Sequence, residues 1–352
     1  MKTRIAIGLL FGGLWSAGAL AGPKWDFGED SWIQLAILAQ IQGTYDDAAE
    51  PEADLFLRRG RIILSGQVTD GVLFFAETEN VNAGRYGQPE SSMKLQDVFA
   101  DVRLAKSTHW IKAGLILLPF SFETRASAGS LLGLDYNVET IKLGNTFVWR
   151  DYGVEAHGNV GKRFAYAAGI FDGYDSPTGT KNPDAEPRFV GHVAFNPIGE
   201  VETGWFYNQD RLGKKGNYLT LGLGADLQDG ATLIPGEDPE PDTILDAEAY
   251  VLDLQSGFRL GEKAGITVNA AWYDWDNATF TGSTAFVESG VLFDRYGGTL
   301  KWSHQDPDGG TTLDDVTVGF GYFHRGHNFR VGVEYRFGGS AEFWLAGIQV
   351  LL

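Results

Sequence analysis

The sequence predicts an all-β fold: a transmembrane antiparallel β-barrel of about sixteen strands, with a long third loop folded into the lumen. Three observations point to it. Segments of roughly ten residues alternate apolar with polar from residue 32 to the end. Tight turns and long acidic connections separate these segments. After the N-terminal region, no stretch of about 18 apolar residues exists to form a membrane helix.

The N-terminus comes first. Lys2 and Arg4 form a positive region, 5–14 is a short apolar run, and Ala19-Leu20-Ala21 is a small-residue cleavage site. This is the pattern of an export signal, so residues 1–21 are expected to be removed and 22–352 to form one barrel domain. No Cys follows the site, which excludes a lipid-anchored start. The 352-residue chain holds 46 acidic and 28 basic residues, 47 Gly and no Cys. Losing Lys2 and Arg4 takes the net charge from −18 to −20, which argues against nucleic acid as a partner.

The alternation predicts strands near 31–43, 54–68, 72–81, 94–104, 109–117, 151–160, 164–172, 187–196, 200–208, 217–227, 247–260, 265–275, 290–303, 313–324, 327–337 and 342–352. The clearest is 328–337. Phe329, Val331, Val333, Tyr335 and Phe337 share one face, and Arg330, Glu334 and Arg336 the other. Leu219, Leu221, Leu223, Ala225 and Leu227 repeat the pattern, as do Ile33, Leu35, Ile37, Ala39 and Ile41. Asp70-Gly71, Gly161-Lys162, Asn196-Pro197, Arg325-Gly326 and Gly338-Gly339 supply turn chemistry. The connections 46–54, 173–187 and 228–246 are long and acidic. Strict alternation of sides puts 228–246 among the short turns, which fits a barrel badly. Trp32, Trp110, Trp149, Trp205, Trp272 and Trp302 fall at strand ends, where a barrel carries its aromatic girdles. The competing architecture is a large secreted sandwich or propeller, which needs no such girdles.

If oil faces outward, parity sends the charged side chains inward. The basic set is Arg59, Arg61, Arg103, Lys112, Arg188, Arg259, Arg295, Lys301, Arg330 and Arg336. The acidic set is Glu77, Glu79, Asp97, Asp101, Glu155, Glu202, Asp253 and Glu334. Two readings stand for each: filtering ions through a local field, or pairing across the wall to keep it hydrated. The longest connection, 118–150, carries Arg125, Asp135, Glu139, Lys142 and Arg150 with apolar Leu131, Leu132, Leu134 and Ile141. Such a length points to function. The apolar residues could pack inside the lumen and narrow it, or outside on a neighbouring subunit.

Four segments carry a family resemblance. Arg58-Arg59-Gly60-Arg61-Ile62-Ile63-Leu64-Ser65-Gly66 is similar to the "RRxRxxxxG" second strand of the phosphate-selective porin O and P family. Leu95-Gln96-Asp97-Val98-Phe99-Ala100-Asp101-Val102 resembles its "DAYL" strand. Ile111-Lys112-Ala113-Gly114 with Leu118-Pro119-Phe120-Ser121-Phe122-Glu123 resembles "GQFKxPFSxE", and Arg150-Asp151-Tyr152-Gly153-Val154 resembles "RDxGV". The resemblance covers most of 30–175 and fades beyond. It implies a sixteen-stranded outer-membrane porin, commonly trimeric, with the third loop inward and with Arg59, Arg61 and the Arg125 region lining the passage. Two departures stand out. Glu77, Glu79, Asp97 and Asp101 compete with the basic lining, and the chain ends in Leu352 rather than an aromatic residue.

Enzyme motifs are missing. The six His residues form no His-Glu-x-x-His pair, no Cys can ligate a metal, and no Gly-x-Ser-x-Gly elbow or phosphate loop occurs. A Ser–His pair that meets only in space is invisible to spacing. Asp306-Pro307-Asp308-Gly309-Gly310 lacks the terminal Glu of a calcium loop. The expectation is therefore a channel of the outer membrane, not an enzyme, with no metal or cofactor. Its partners are small hydrophilic solutes or ions, anions among them, surrounding lipid and two further copies in a homotrimer. The alternative is a barrel that sheathes a partner protein without free conduction.

Overall fold

The computed structural model describes residues 22–87, 92–144, 148–174, 182–183, 185–210, 216–234, 242–339 and 342–352; the signal segment expected over 1–21 lies outside these, as do parts of the acidic connections 173–187 and 228–246 and short stretches of four other loops. The strands are β1 (Lys24–Asp26), β2 (Trp32–Tyr45), β3 (Ala53–Thr69), β4 (Val72–Ala83), β5 (Lys94–Arg103), β6 (His109–Leu117), β7 (Arg150–Val160), β8 (Phe164–Phe171) and β9 (Arg188–Ile198). They continue as β10 (Tyr218–Ile234), β11 (Thr243–Arg259), β12 (Ala264–Asn277), β13 (Phe280–Phe293), β14 (Tyr296–Pro307), β15 (Leu313–His327), β16 (Phe329–Gly338) and β17 (Phe343–Leu351). From β2 onward each strand pairs antiparallel with the next, and β17 returns to β2 at Ile348↔Ile41. Sixteen strands thus close a ring, and the three-residue β1 pairs on the start of β2. Closure removes the open edges that a sheet would otherwise present.

The alternation read from sequence is the wall. On β10 and β11, Leu221 faces Leu254 and Leu223 faces Leu252 in register, all on the outer side. Leu223 is 54% exposed while the inward Asp253 of β11 is 6% exposed. Outward aromatic groups stand at both ends. Tyr335, Phe337 and Trp344 cluster at the long-loop end, and Tyr296, Phe320 and Tyr322 at the end that holds the chain termini. Trp272 and Trp302 belong to the outer face as expected. Trp110, Trp149 and Trp205 do not: they are buried, and Trp32 packs against the same interior cluster.

Two strand expectations fail, and they cancel in the count. Residues 200–208 are no wall strand, because β9 pairs directly with β10 from Phe189↔Leu227 to Ile198↔Leu219. The segment leaves the wall and turns inward. The strand β13, fused in the sequence reading with 290–303, is separate and pairs with both β12 and β14. Its turns carry little Gly or Pro signal. At the first, Asn277 Oδ1 accepts the N–H groups of Thr279 (3.0 Å) and Phe280 (3.1 Å). At the second, Asp294 takes a left-handed φ of 54°. With both corrections β10 ends and β11 begins at the long-loop end, so the misfit in sidedness of 228–246 disappears, although 235–241 themselves lie outside the described residues.

Candidate functional site

The interior is organised by two segments that enter from opposite ends. The first is the third connection of the long-loop end, between β6 and β7. Leu118 N–H donates to Trp149 O (2.8 Å) and closes its neck. Phe120 packs on Tyr273 and Trp275 of β12, with ring centroids 5.9 and 5.5 Å away. Phe122 N–H donates to Asp253 Oδ2 (2.8 Å). The chain then reaches the far wall, where inward side chains take its peptide groups in turn. Gln40 and Gln349 donate to the carbonyls of Ala128 and Gly129, each at 2.9 Å. Arg330 donates to Leu131 O (2.7 Å), and Gln42 to Leu134 O (3.0 Å). Glu288 accepts Gly133 N–H (3.2 Å) and Glu334 accepts Leu134 N–H (2.7 Å). Bare backbone on the wall makes room: a Cβ at Gly332 or Gly347 would stand 3.2 or 3.1 Å from Leu134 Cδ2. Buried peptide groups away from bulk water must find partners, and here the wall supplies them.

The second segment, 199–210, enters from the end of the termini. Trp205 lies edge-on to Phe75 and Phe99 and donates its Nε1–H to Asp101 (2.8 Å). Tyr207 joins the first segment in a parallel bridge, with Ser127 N–H to Tyr207 O at 2.7 Å and Tyr207 N–H to Arg125 O at 2.8 Å.

Between these segments and the wall the expected lining residues form two charge clusters and several separate pairs. In one, Arg61 pairs with Glu77 (2.8 Å) and Glu79, and Arg150 with Asp97 (2.8 Å). Glu77 and Asp97 stand opposite each other in the β4–β5 register. In the other, Lys112 pairs with Glu155 (2.7 Å), Arg125 lies 3.9 Å from the same carboxylate, and His157 meets Asp101 (3.0 Å). Arg188 pairs with Asp226 and Arg336 with Glu139 and Asp315. Arg103 reaches Asp70 at the rim, while Arg259 and Arg295 stand exposed at the short-turn end. Nearly every inward cation thus has a carboxylate in reach, which is the wall-pairing reading of these residues.

Residues that parity missed are as informative. The β2–β3 register slips between Gln40↔Arg59 and Ile41↔Leu57, so Arg58 is an extra residue in β3. The bulge lets Arg58 and Arg59 both turn to Asp135, at 2.6 and 2.7 Å. Burial raises the Asp135 pKa, but Arg59 and Arg58 outweigh it and hold the carboxyl well below its usual range. Glu123 is the opposite case. Burial and the nearby Glu288 charge push it up to about 7, despite hydrogen bonds from Asn137. The adjacent Arg58-Arg59 pair was the one sequence signal for a double contact.

Open volume remains on both sides of this plug. A cavity of about 330 Å³ opens at the long-loop end between Arg58, Arg85, Asp135, Glu139, Lys301 and Arg336. At the other end lie two, of about 440 Å³ beside Arg61, Asp210, Arg295 and His327 and about 310 Å³ beside Arg103, Arg125, His157 and Glu202.

No protein-family model and no functionally characterised protein matches the chain by sequence. Solved structures share its fold. It superposes on a loop-deleted OmpT, an outer membrane protein of Vibrio cholerae, with TM-score 0.58 and 12% identity over 92% of this chain and 100% of that one. The outer membrane channel DcaP of Acinetobacter baumannii gives TM-score 0.58 and 11% identity over 92% and 98%. A mutant of Rh. blastica porin gives TM-score 0.60 and 12% identity over 91% and 100%.

Proposed function

We propose that this chain is an outer-membrane porin, a water-filled passage through which small hydrophilic solutes or ions diffuse down their gradients. One observation carries the reading: a closed sixteen-stranded ring with an apolar outer belt, aromatic groups at both ends, and an interior of charged side chains. Such a wall suits hydrocarbon outside and water inside, and a ring without edges leaves no backbone polar group facing lipid. The alternative of a sheath around a partner protein is disfavoured, because the chain's own segments 118–144 and 199–210 occupy the bore.

Removal of 1–21 would leave 22–352 as the single barrel domain. The motifs over 30–175 support kinship with the phosphate-selective porin O and P channels. The carboxylates around Arg61 and Arg150 offset the basic lining, so we expect a solute range wider than phosphate. We expect a homotrimer, and the fold likeness to an OmpT trimer form from Vibrio cholerae, at TM-score 0.54, supports that expectation. Nothing in the interior is read as catalytic.

Purified protein in a planar bilayer should give ohmic current steps, and a salt gradient should give a reversal potential that reports ion preference. A folded, inserted protein that never conducts would rule out the porin reading.

A further inference from the structure

We infer that the segment 200–210, entering from the end of the chain termini, is a second size-selecting element of the passage and divides its mouth into two chambers. The inference rests on the channel reading above.

The wall does not need this segment. Ile198 and Leu219 are register partners, so 199–217 is surplus to a connection that a short hairpin turn could make. Nor does it drape over the outside, since Val201, Glu202, Trp205, Tyr207, Asn208 and Gln209 are buried. It is tied on several sides. Trp205 packs on β4 and β5 through Phe75 and Phe99. Gln255 of β11 donates to Asn208 O (2.6 Å). Gln209 bonds the long segment twice: its Oε1 accepts Leu132 N–H (3.0 Å) and its Nε2 donates to Glu123.

Its two sides face different spaces. Glu202, Thr203, Gly204 and Tyr207 line the cavity of about 310 Å³. Asn208 and Asp210 line the one of about 440 Å³. A strap between two cavities at one mouth restricts each of them, and it buttresses the constriction beyond it at Leu132 and Glu123. A solute crossing the barrel therefore meets two filters in series, one from each end of the fold, and the narrower sets the size limit.

Two variants test this. Replacing 201–215 by an Asn-Gly turn keeps the β9–β10 hairpin and should roughly double the single-channel conductance or more, and admit larger sugars into liposomes. Barrel folding is checked by heat-modifiable mobility in detergent gels. The milder variant is Thr203→Cys, in a chain otherwise free of Cys. A charged thiosulfonate reagent added on the side of the termini should cut the current step by roughly a third or more. Unchanged conductance in the shortened, folded protein beside a conducting parent overturns the inference alone. So does failure of Thr203→Cys to label, or full labelling by mass with an unchanged step. A silent parent protein removes the channel reading, and this inference with it.

Discussion

Asp135→Asn isolates one charge at the long-loop mouth. The Asp135 side chain is 24% exposed, borders the open cavity there and neutralises part of the Arg58–Arg59 pair. The amide keeps the shape and one acceptor oxygen but removes the negative charge. For an ion passing about 7 Å away in water, a unit charge is worth about 0.6 kcal/mol before screening. At about 0.1 M salt the Debye length near 10 Å halves this to about 0.3 kcal/mol. An anion gains that amount and a cation loses it, so the anion-to-cation permeability ratio should rise about threefold. The assay is the reversal potential in a tenfold potassium chloride gradient, with single-channel conductance recorded alongside. Arg58→Gln should move the ratio the other way by a similar factor. An unchanged reversal potential with normal conductance would refute the placement of Asp135 beside the path. A large rise in conductance would instead report that the loop had come loose.

The other expectations concern how the interior is held. Glu123 has a folded pKa of about 7 against an ordinary 4.5, so the folded chain holds this proton more tightly than the unfolded one. That contribution, on the order of a few kcal/mol, is fully present below pH ~4.5 and lost as pH rises through about 7. The unfolding temperature of the refolded barrel should fall across this window, and Glu123→Gln should flatten the fall; an equally steep profile in the variant would exclude Glu123 as the source. Arg188→Met leaves Asp226 and the Gly144 carbonyl without their buried partner. A cost of about 3–5 kcal/mol should appear in detergent unfolding, and a cost below about 1 kcal/mol would mean that water reaches the pair. At Gly224 a Cβ would lie 2.0 Å from Phe120 O. Gly224→Ala should therefore displace the neck of the long loop, cost about 1–3 kcal/mol and produce unstable current levels, whereas parent-like stability and steady current would show that the loop yields without strain.

Strand parity sent Arg59, Arg61, Asp97 and Lys112 inward, and in the fold each is buried in an ion pair, as is Arg150 at the end of the long connection. The pairing itself was out of reach. Asp97 finds Arg150 across 53 positions and Arg59 finds Asp135 across 76, through a loop whose path no local pattern encodes. Arg58 points inward only because of a bulge, and a bulge breaks the parity rule used to read faces. The mistaken strand at 200–208 has a similar cause. Trp205 and Tyr207 demand burial, and a one-dimensional pattern cannot say whether lipid or the barrel interior provides it.

Local alternation was enough for the wall: period two is a property of one strand and its two faces, so the greasy side and the charged side follow from neighbours along the chain, whereas the count of sixteen came out only because a false strand at 200–208 offset the missed β13. What fills the middle is a matter of three-dimensional closure. That depends on closure of β17 onto β2, which fixes the distance across the ring and brings Gln40, Glu288, Arg330 and Glu334 to the same short stretch of loop. These contacts join residues far apart in sequence through space that exists only once the ring is shut.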